Sequence, residues 1–182
     1  TYTYLFEDFD PTNLNEAGTQ PLPGQQGYSY SGIRLRYTSS STYNLQANAD
    51  ARIGQFFNGH FAALEGNVSY RWQPVGTFTL SYIYNRIRLP EPYASADFWI
   101  LWPRAEVSFS RSLFASAFFQ WNTQANNFNI NARLQWRFAP VSDIFLVYTD
   151  NSFAEAVPDS RARFLTPKNR ALVLKVVYWL NI

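Results

Sequence analysis

From Asn127 to Phe138 the chain reads NFNINARLQWRF, and polar and apolar residues alternate without interruption. Side chains of a β-strand point alternately to its two faces, whereas a helix would bring residues three or four apart together. Phe128, Ile130, Ala132, Leu134, Trp136 and Phe138 therefore share one face, and Asn127, Asn129, Asn131, Arg133, Gln135 and Arg137 share the other. A strand of a soluble protein usually has about 5–6 residues, while a tilted strand crossing a bilayer needs about 9–11. The segment has the second length, with one oily face and one wet, charged face.

The same period divides the chain into about ten strands. The first spans residues 1–9 and is followed by a polar stretch, 10–27, with three Pro and three Gly. A second strand, 28–37, sets Ile33, Leu35 and Tyr37 against Arg34 and Arg36. After a turn at Ser39–Ser41, the third, 42–53, opposes Tyr43, Leu45 and Ile53 to Asp50 and Arg52. A connection at 54–60 leads to a fourth strand with Leu64, Val68, Tyr70 and Trp72 on one face and Glu65 and Arg71 on the other.

The turn at 73–76 combines Pro74, which presets one turn dihedral, with Gly76, which relieves another. The fifth strand carries Phe78, Leu80, Tyr82 and Tyr84, and a Pro-containing loop, 89–96, precedes the sixth at 98–109. Pro103 lies inside that strand and predicts a bulge, because Pro cannot donate to a ladder. The seventh, 113–121, alternates poorly, with Phe114 and Phe118 on the polar face. The segment 127–138 is the eighth, a turn at 139–142 follows, and the ninth covers 143–149. A polar loop, 150–168, leads to the tenth strand, 169–182.

The expected connections alternate in length. Those after the second, fourth, sixth and eighth strands are tight, and those after the first, fifth and ninth are long. Bacterial membrane barrels have short periplasmic turns, longer external loops and an even strand number. The pattern thus predicts an all-β, antiparallel transmembrane β-barrel, as one domain over 1–182, with both ends of the chain in the periplasm. A β-sandwich also alternates apolar and polar residues and is the competing architecture.

Aromatic residues make up 19% of the chain, with twelve Tyr and six Trp. An apolar ring with a polar tip suits a membrane–water boundary. Tyr37, Tyr43, Tyr70, Trp72, Phe78, Phe109, Trp136, Phe138 and Tyr178 fall near the expected periplasmic end of their strands; Tyr82, Tyr84, Trp99 and Trp121 lie toward the other. No apolar run reaches the roughly 18 residues of a transmembrane helix.

The net charge of +2 is too small to argue for nucleic acid, and cysteine is absent, so no disulfide framework or thiolate metal site exists. The chain has no Met and does not open on an apolar leader, as expected of a mature, trimmed or partial sequence. The charged positions of the polar face are Arg34, Arg36, Asp50, Arg52, Glu65, Arg71, Glu106, Arg133, Arg137 and Lys175. Facing a lumen, they would either favour anionic solutes or pair across strands to fill a narrow barrel.

No nucleophile with a base is suggested, since His60 is the single histidine and falls in an expected connection. Neither an enzyme nor a metal or other cofactor is expected. The acidic residues Glu7, Asp8 and Asp10 read as a solvated rim, with Ca²⁺ binding the alternative. Aromatics and bases of Tyr70-Arg71-Trp72 lie on opposite faces, which argues against a nucleic-acid platform.

Residues 119–150, FQWNTQANNFNINARLQWRFAPVSDIFLVYTD, resemble a family of Gram-negative outer-membrane proteins. The likeness rests on Gln120 and Asn122 about an aromatic, on Asn131-x-Arg133-x-x-Trp136, and on Pro140 with Ser142-Asp143 before a strand ending Val147-Tyr148. The segments FFNGHFAALEGNVSYRWQP and NRALVLKVVYWLNI are similar too, so the resemblance covers about residues 27–182. The family usually has Gly where this chain has Val141, and Tyr where it has Trp121.

Such proteins join an N-terminal carbohydrate-binding-like β-sandwich to a large C-terminal barrel of unestablished function. The resemblance implies the C-terminal part of a longer protein, an arc of a larger barrel, and no catalytic residues. The expected location is the outer membrane of a Gram-negative bacterium. The expected partners are the lipid bilayer, other envelope proteins and an upstream domain. Three functions stay open: an anchor or envelope-complex subunit, a passive pore with a basic lumen, and a soluble β-protein that binds a hydrophobic ligand.

Overall fold

The computed structural model describes residues 27–93, 95–154 and 164–180, together with the backbone of 2–3, 8–9 and 22–23. Four short strands come first: β1 (Tyr2–Thr3), β2 (Asp8–Phe9), β3 (Leu22–Pro23) and β4 (Gly27–Tyr28). Nine longer ones follow: β5 (Gly32–Thr38), β6 (Leu45–Phe56), β7 (Gly59–Trp72), β8 (Gly76–Arg88) and β9 (Ala96–Ser108), then β10 (Leu113–Asn122), β11 (Asn127–Ala139), β12 (Ser142–Ser152) and β13 (Pro167–Val177). These nine form one antiparallel sheet in sequence order, from β5 at one edge to β13 at the other, and the sheet is not closed.

The chain divides into two compact units. One holds Thr1–Thr38, Asn48–Gly66 and Ile83–Phe98; the other holds Ser39–Ala47, Asn67–Tyr82 and Trp99–Ile182.

The two-residue period has the consequence expected of it, because directly opposed residues of a ladder share a face. Ile33 lies opposite Ile53 and Leu35 opposite Ala51, while Arg36 faces Asp50. Leu113, Ala115, Ala117, Phe119 and Trp121 meet Trp136, Leu134, Ala132, Ile130 and Phe128, and the odd partners Phe114 and Phe118 meet Gln135 and Asn131.

Several expectations are corrected. Of the about ten strands expected, nine form the main sheet among the described residues. The expected first strand yields only β1 and β2, which pair with β4 and β3, and the rest of residues 1–9 lies outside the described residues. Toward β10, Pro103 causes no bulge: Arg104 faces Phe118 and Leu101 faces Trp121 in one register, and the two positions between lack a partner on that strand. A missing donor removes ladder bonds but need not insert a residue.

The third strand starts at Leu45 rather than residue 42, because Gln46 Nε2 donates to the carbonyls of Ser41 and Tyr43 and holds that stretch as a turn. The connection after β6 shrinks to Phe57 and Asn58, so His60 belongs to β7. Phe57 turns the chain in the left-handed region, φ 50°, and packs with Leu89 against Tyr28, Phe56, Ile87 and Tyr93. The ninth strand runs on to Ser152, and the tenth ends at Val177. The two strands thus take residues 150–152 and 167–168 from the ends of the expected loop 150–168, of which 155–163 lie outside the described residues.

Two tight places explain individual residues. A Cβ on Gly76 would stand 2.2 Å from the Glu106 carbonyl oxygen, so the start of β8 tolerates glycine alone. Val141 bridges β11 and β12 with φ 56°, where a β-branched side chain is unfavourable, beside a register shift between Arg137 and Ala139. The adjoining Ser142 is buried and its hydroxyl accepts the Trp179 amide at 3.1 Å, tying the end of β13 to this turn. Val141→Gly is expected to stabilise the protein by about 1–2 kcal/mol, the usual cost of a left-handed non-glycine residue, read as a higher urea midpoint.

Candidate functional site

The surface with functional potential is the sheet itself, since burial is sparse. Among the described residues the buried hydrophobic side chains are Phe57, Ala63, Leu89, Ala96, Phe98 and Ala154. The residues predicted to share the apolar face are open instead: Ile33 is 70% exposed, Leu35 69%, Ile53 64% and Trp136 50%. Of the proposed interface aromatics, Tyr37, Tyr43, Tyr70, Trp72, Phe78, Trp99, Phe109, Trp136, Phe138 and Tyr178 are exposed, and Tyr82, Tyr84 and Trp121 are half-buried. Phe138 stacks on Tyr178 with centroids 6.3 Å apart.

The polar face is organised by charge pairing. Asp50, buried in β6, receives Arg34 Nη2 at 2.7 Å and Arg36 Nε at 2.9 Å from β5. Arg52 lies 3.7 Å from the same carboxylate and extends its other end to Glu65 on β7 at 3.1 Å. One carboxylate thus serves three guanidinium groups, and Arg52 is shared by two acids. Register explains the cluster: Arg36 faces Asp50 and Arg34 faces Arg52, a like-charge pair that needs an acid beside it.

In the other unit the pairing is thinner. Arg137 lies 3.5 Å from Asp143, directly opposite, and Gln135 Nε2 donates to the same carboxylate at 3.0 Å. Glu106 binds Arg104 on its own strand. Arg71 donates to the Ser41 carbonyl at 2.7 Å, and Arg133 donates to Gln135 at 3.1 Å. Neither Arg71, Arg133 nor Lys175 has a carboxylate within 4.0 Å among the described residues.

Sequence reasoning left the aromatics of the polar face unexplained. Arg133 lies over the Phe145 ring at 4.5 Å, and Arg137 is 6.0 Å from Phe114. Guanidinium groups favour aromatic faces. Neighbouring strands supply the rings, so alternation within one strand could not reveal them.

Two charged clusters also escaped the sequence. Asp150, buried in β12, accepts Arg170 Nε at 2.6 Å and Tyr148 Oη at 2.9 Å, with Ser152 as a third donor. Asp97 of β9 accepts Tyr84 Oη at 3.0 Å and pairs with Arg88, while Arg86 Nε stands 3.8 Å away. Both groups occupy positions in step with apolar residues: Asp150 follows Ile144 and Leu146 at two-residue spacing, and Asp97 precedes Leu101 at the same spacing. Carrying the two-residue count to the ends of the strands would have found them.

No group of three His, Cys, Asp or Glu side chains is placed to hold a metal ion among the described residues. His60 is exposed on β7. Of the acidic residues near the start, Glu7 and Asp10 lie outside the described residues, and Asp8 is described only as backbone of β2. Comparison with protein-family models, with curated proteins and with solved structures found no match to this chain.

Asp50→Asn is expected to lower the urea midpoint more than Arg104→Gln does. The first leaves three cationic groups around a neutral amide, and the second breaks one exposed pair within a strand. Equal midpoints for the two variants would deny Asp50 its organising role.

Proposed function

We propose that this chain is wall of an outer-membrane β-barrel in a Gram-negative bacterium, serving as a membrane anchor or as a subunit of an envelope complex. The single observation that carries this reading is the exposed apolar face. Ile53, Leu172 and Leu174 are each 64–67% exposed on strands of 12 and 11 residues, a length that suits a tilted crossing, and Ile33 and Leu35 are as open on the seven-residue β5. A soluble β-protein of this size would cover such a face with a second layer, and a contiguous apolar surface larger than a few hundred Å² marks an interaction site. Lipid is the cover that needs no further protein.

The chain is an arc of a larger barrel. Among the described residues β13 has no strand on its outer edge, and its side chains are apolar on both faces, Leu172, Val173, Leu174 and Val176 all being exposed. Such an edge recruits a partner strand. Parity adds to the argument: across nine antiparallel strands β5 and β13 run in the same direction, so antiparallel closure requires an odd number of added strands. The resemblance of residues 27–182 to a large barrel with an upstream sandwich domain agrees with that requirement.

A passive pore is the second reading. Arg71, Arg133 and Lys175, without carboxylate partners among the described residues, would give its lumen a basic character. The anchor is favoured because Arg34, Arg36, Arg52 and Arg137 are engaged by carboxylates.

Three measurements test these statements. The protein should sediment with membranes and migrate differently in detergent gels before and after boiling; recovery as a heat-insensitive soluble protein would leave the hydrophobic-ligand reading in its place. Planar bilayers should show no steady conductance, and discrete channels would favour the pore. Because cysteine is absent, Leu35→Cys combined with Leu172→Cys or Leu174→Cys reports closure directly. One intervening strand separates the backbones by about 9.6 Å, beyond the roughly 7 Å that a disulfide spans, so no bridge should form.

A further inference from the structure

We propose that the cluster at the end of β8 and the start of β9 holds the phosphate of an anionic lipid headgroup, with Arg86 as the binding cation. The inference rests on the membrane reading above. Three observations carry it.

The first is position. Arg86 and Arg88 follow Tyr84 at two-residue spacing on β8, and Asp97 leads into Trp99 and Leu101 on β9. Leu101 faces Trp121, a member of the apolar set, so the charges occupy the apolar side of the sheet where aromatic residues end. On a lipid-facing surface, charges are tolerable only where hydrocarbon gives way to headgroups.

The second is incomplete neutralisation. Arg88 is fully engaged: it pairs with Asp97 and also donates to the carbonyls of Ile87 at 3.1 Å and Ala96 at 3.4 Å. Tyr84 takes another site on the Asp97 carboxylate. Among the described residues Arg86 has only a 3.8 Å approach to that carboxylate, and its side chain is 52% exposed. Two guanidinium groups against one carboxylate leave a unit of positive charge on this lipid-side surface, carried by the looser arginine. Arg88 and Tyr84 hold the acid in place, and Arg86 keeps its planar donors for an outside acceptor, a geometry that suits phosphate oxygens.

The third is the contrast with the cluster on β12 and β13. Asp150 there is buried and saturated by Arg170, Tyr148 and Ser152, one cation for one anion. Similar residue types close on themselves in that case. The cluster around Asp97 has the surplus cation.

The test incorporates the full protein into phosphatidylcholine vesicles containing a minor fraction of phosphatidic acid, and measures which lipid is retained on extraction, by native mass spectrometry. The wild type should retain phosphatidic acid preferentially. Arg86→Gln should weaken that preference about fivefold, the effect of one basic side chain near a membrane surface. Arg86→Lys should recover part of it, since the charge remains and the fork is lost. Arg104→Gln removes the same charge from the polar face and should change nothing.

Equal retention by wild type and Arg86→Gln would overturn the proposal. So would displacement of the lipid by millimolar inorganic phosphate, which would mark a site for the free anion. A wild-type chain that fails to enter the vesicles overturns the membrane reading and this site together, and is distinguishable because no lipid of either kind is retained.

Discussion

The backbone ladder and its register govern the rest of this structure. Each antiparallel pair places directly opposed residues on one face, and a slip of one residue would exchange the faces of an entire strand. The register is nevertheless continuous through the long pairings, from Leu113 with Trp136 to Asn122 with Asn127, and it holds across Pro103. Shifts occur between Arg137 and Ala139 and between Asn151 and Ser152, both at strand ends. Because the ladder keeps step, the apolar side chains of β5 and β6 and of β10 and β11 share a side with their opposed partners, and the clusters around Asp97 and Asp150 are charged exceptions at strand ends.

Each face then meets a different physical requirement. Arginines on adjacent strands repel unless an acid lies among them, and Asp50 answers that need for Arg34, Arg36 and Arg52. Where acids are scarce, rings take part, as Phe145 does beneath Arg133. The apolar face has no comparable internal solution. Ile33, Leu35, Ile53, Leu172 and Leu174 stay more than 60% exposed, and under the membrane reading proposed above lipid would cover them.

Much of this was legible in the sequence because strand periodicity is a local property. Nine of the expected strands form, and Arg36 with Asp50 and Arg137 with Asp143 stand directly opposed, so each pair shares a face. The misses arise where local signals compete with pairing. Asp150-Asn151-Ser152 has the composition of a turn, yet Asn151 faces Asn129 and Asn169 within the ladder. Pro103 looks like an insertion point, but Leu101 and Arg104 on either side of it keep one register with β10. Phe57 and Asn58 make a tight turn that the apolar residues around them disguise.

The sequence by itself determined the two faces: every second side chain is committed to a side as soon as the backbone is extended, whatever the partner strand. It also determined that charge and oil would not mix along most strands. Only the tertiary structure decided which strands are edges, which carboxylate serves which arginine, and that Arg86 is left loosely held beside Asp97. Those outcomes depend on distances between residues remote in the chain, and register between strands, unlike alternation within one, is not written in any single segment.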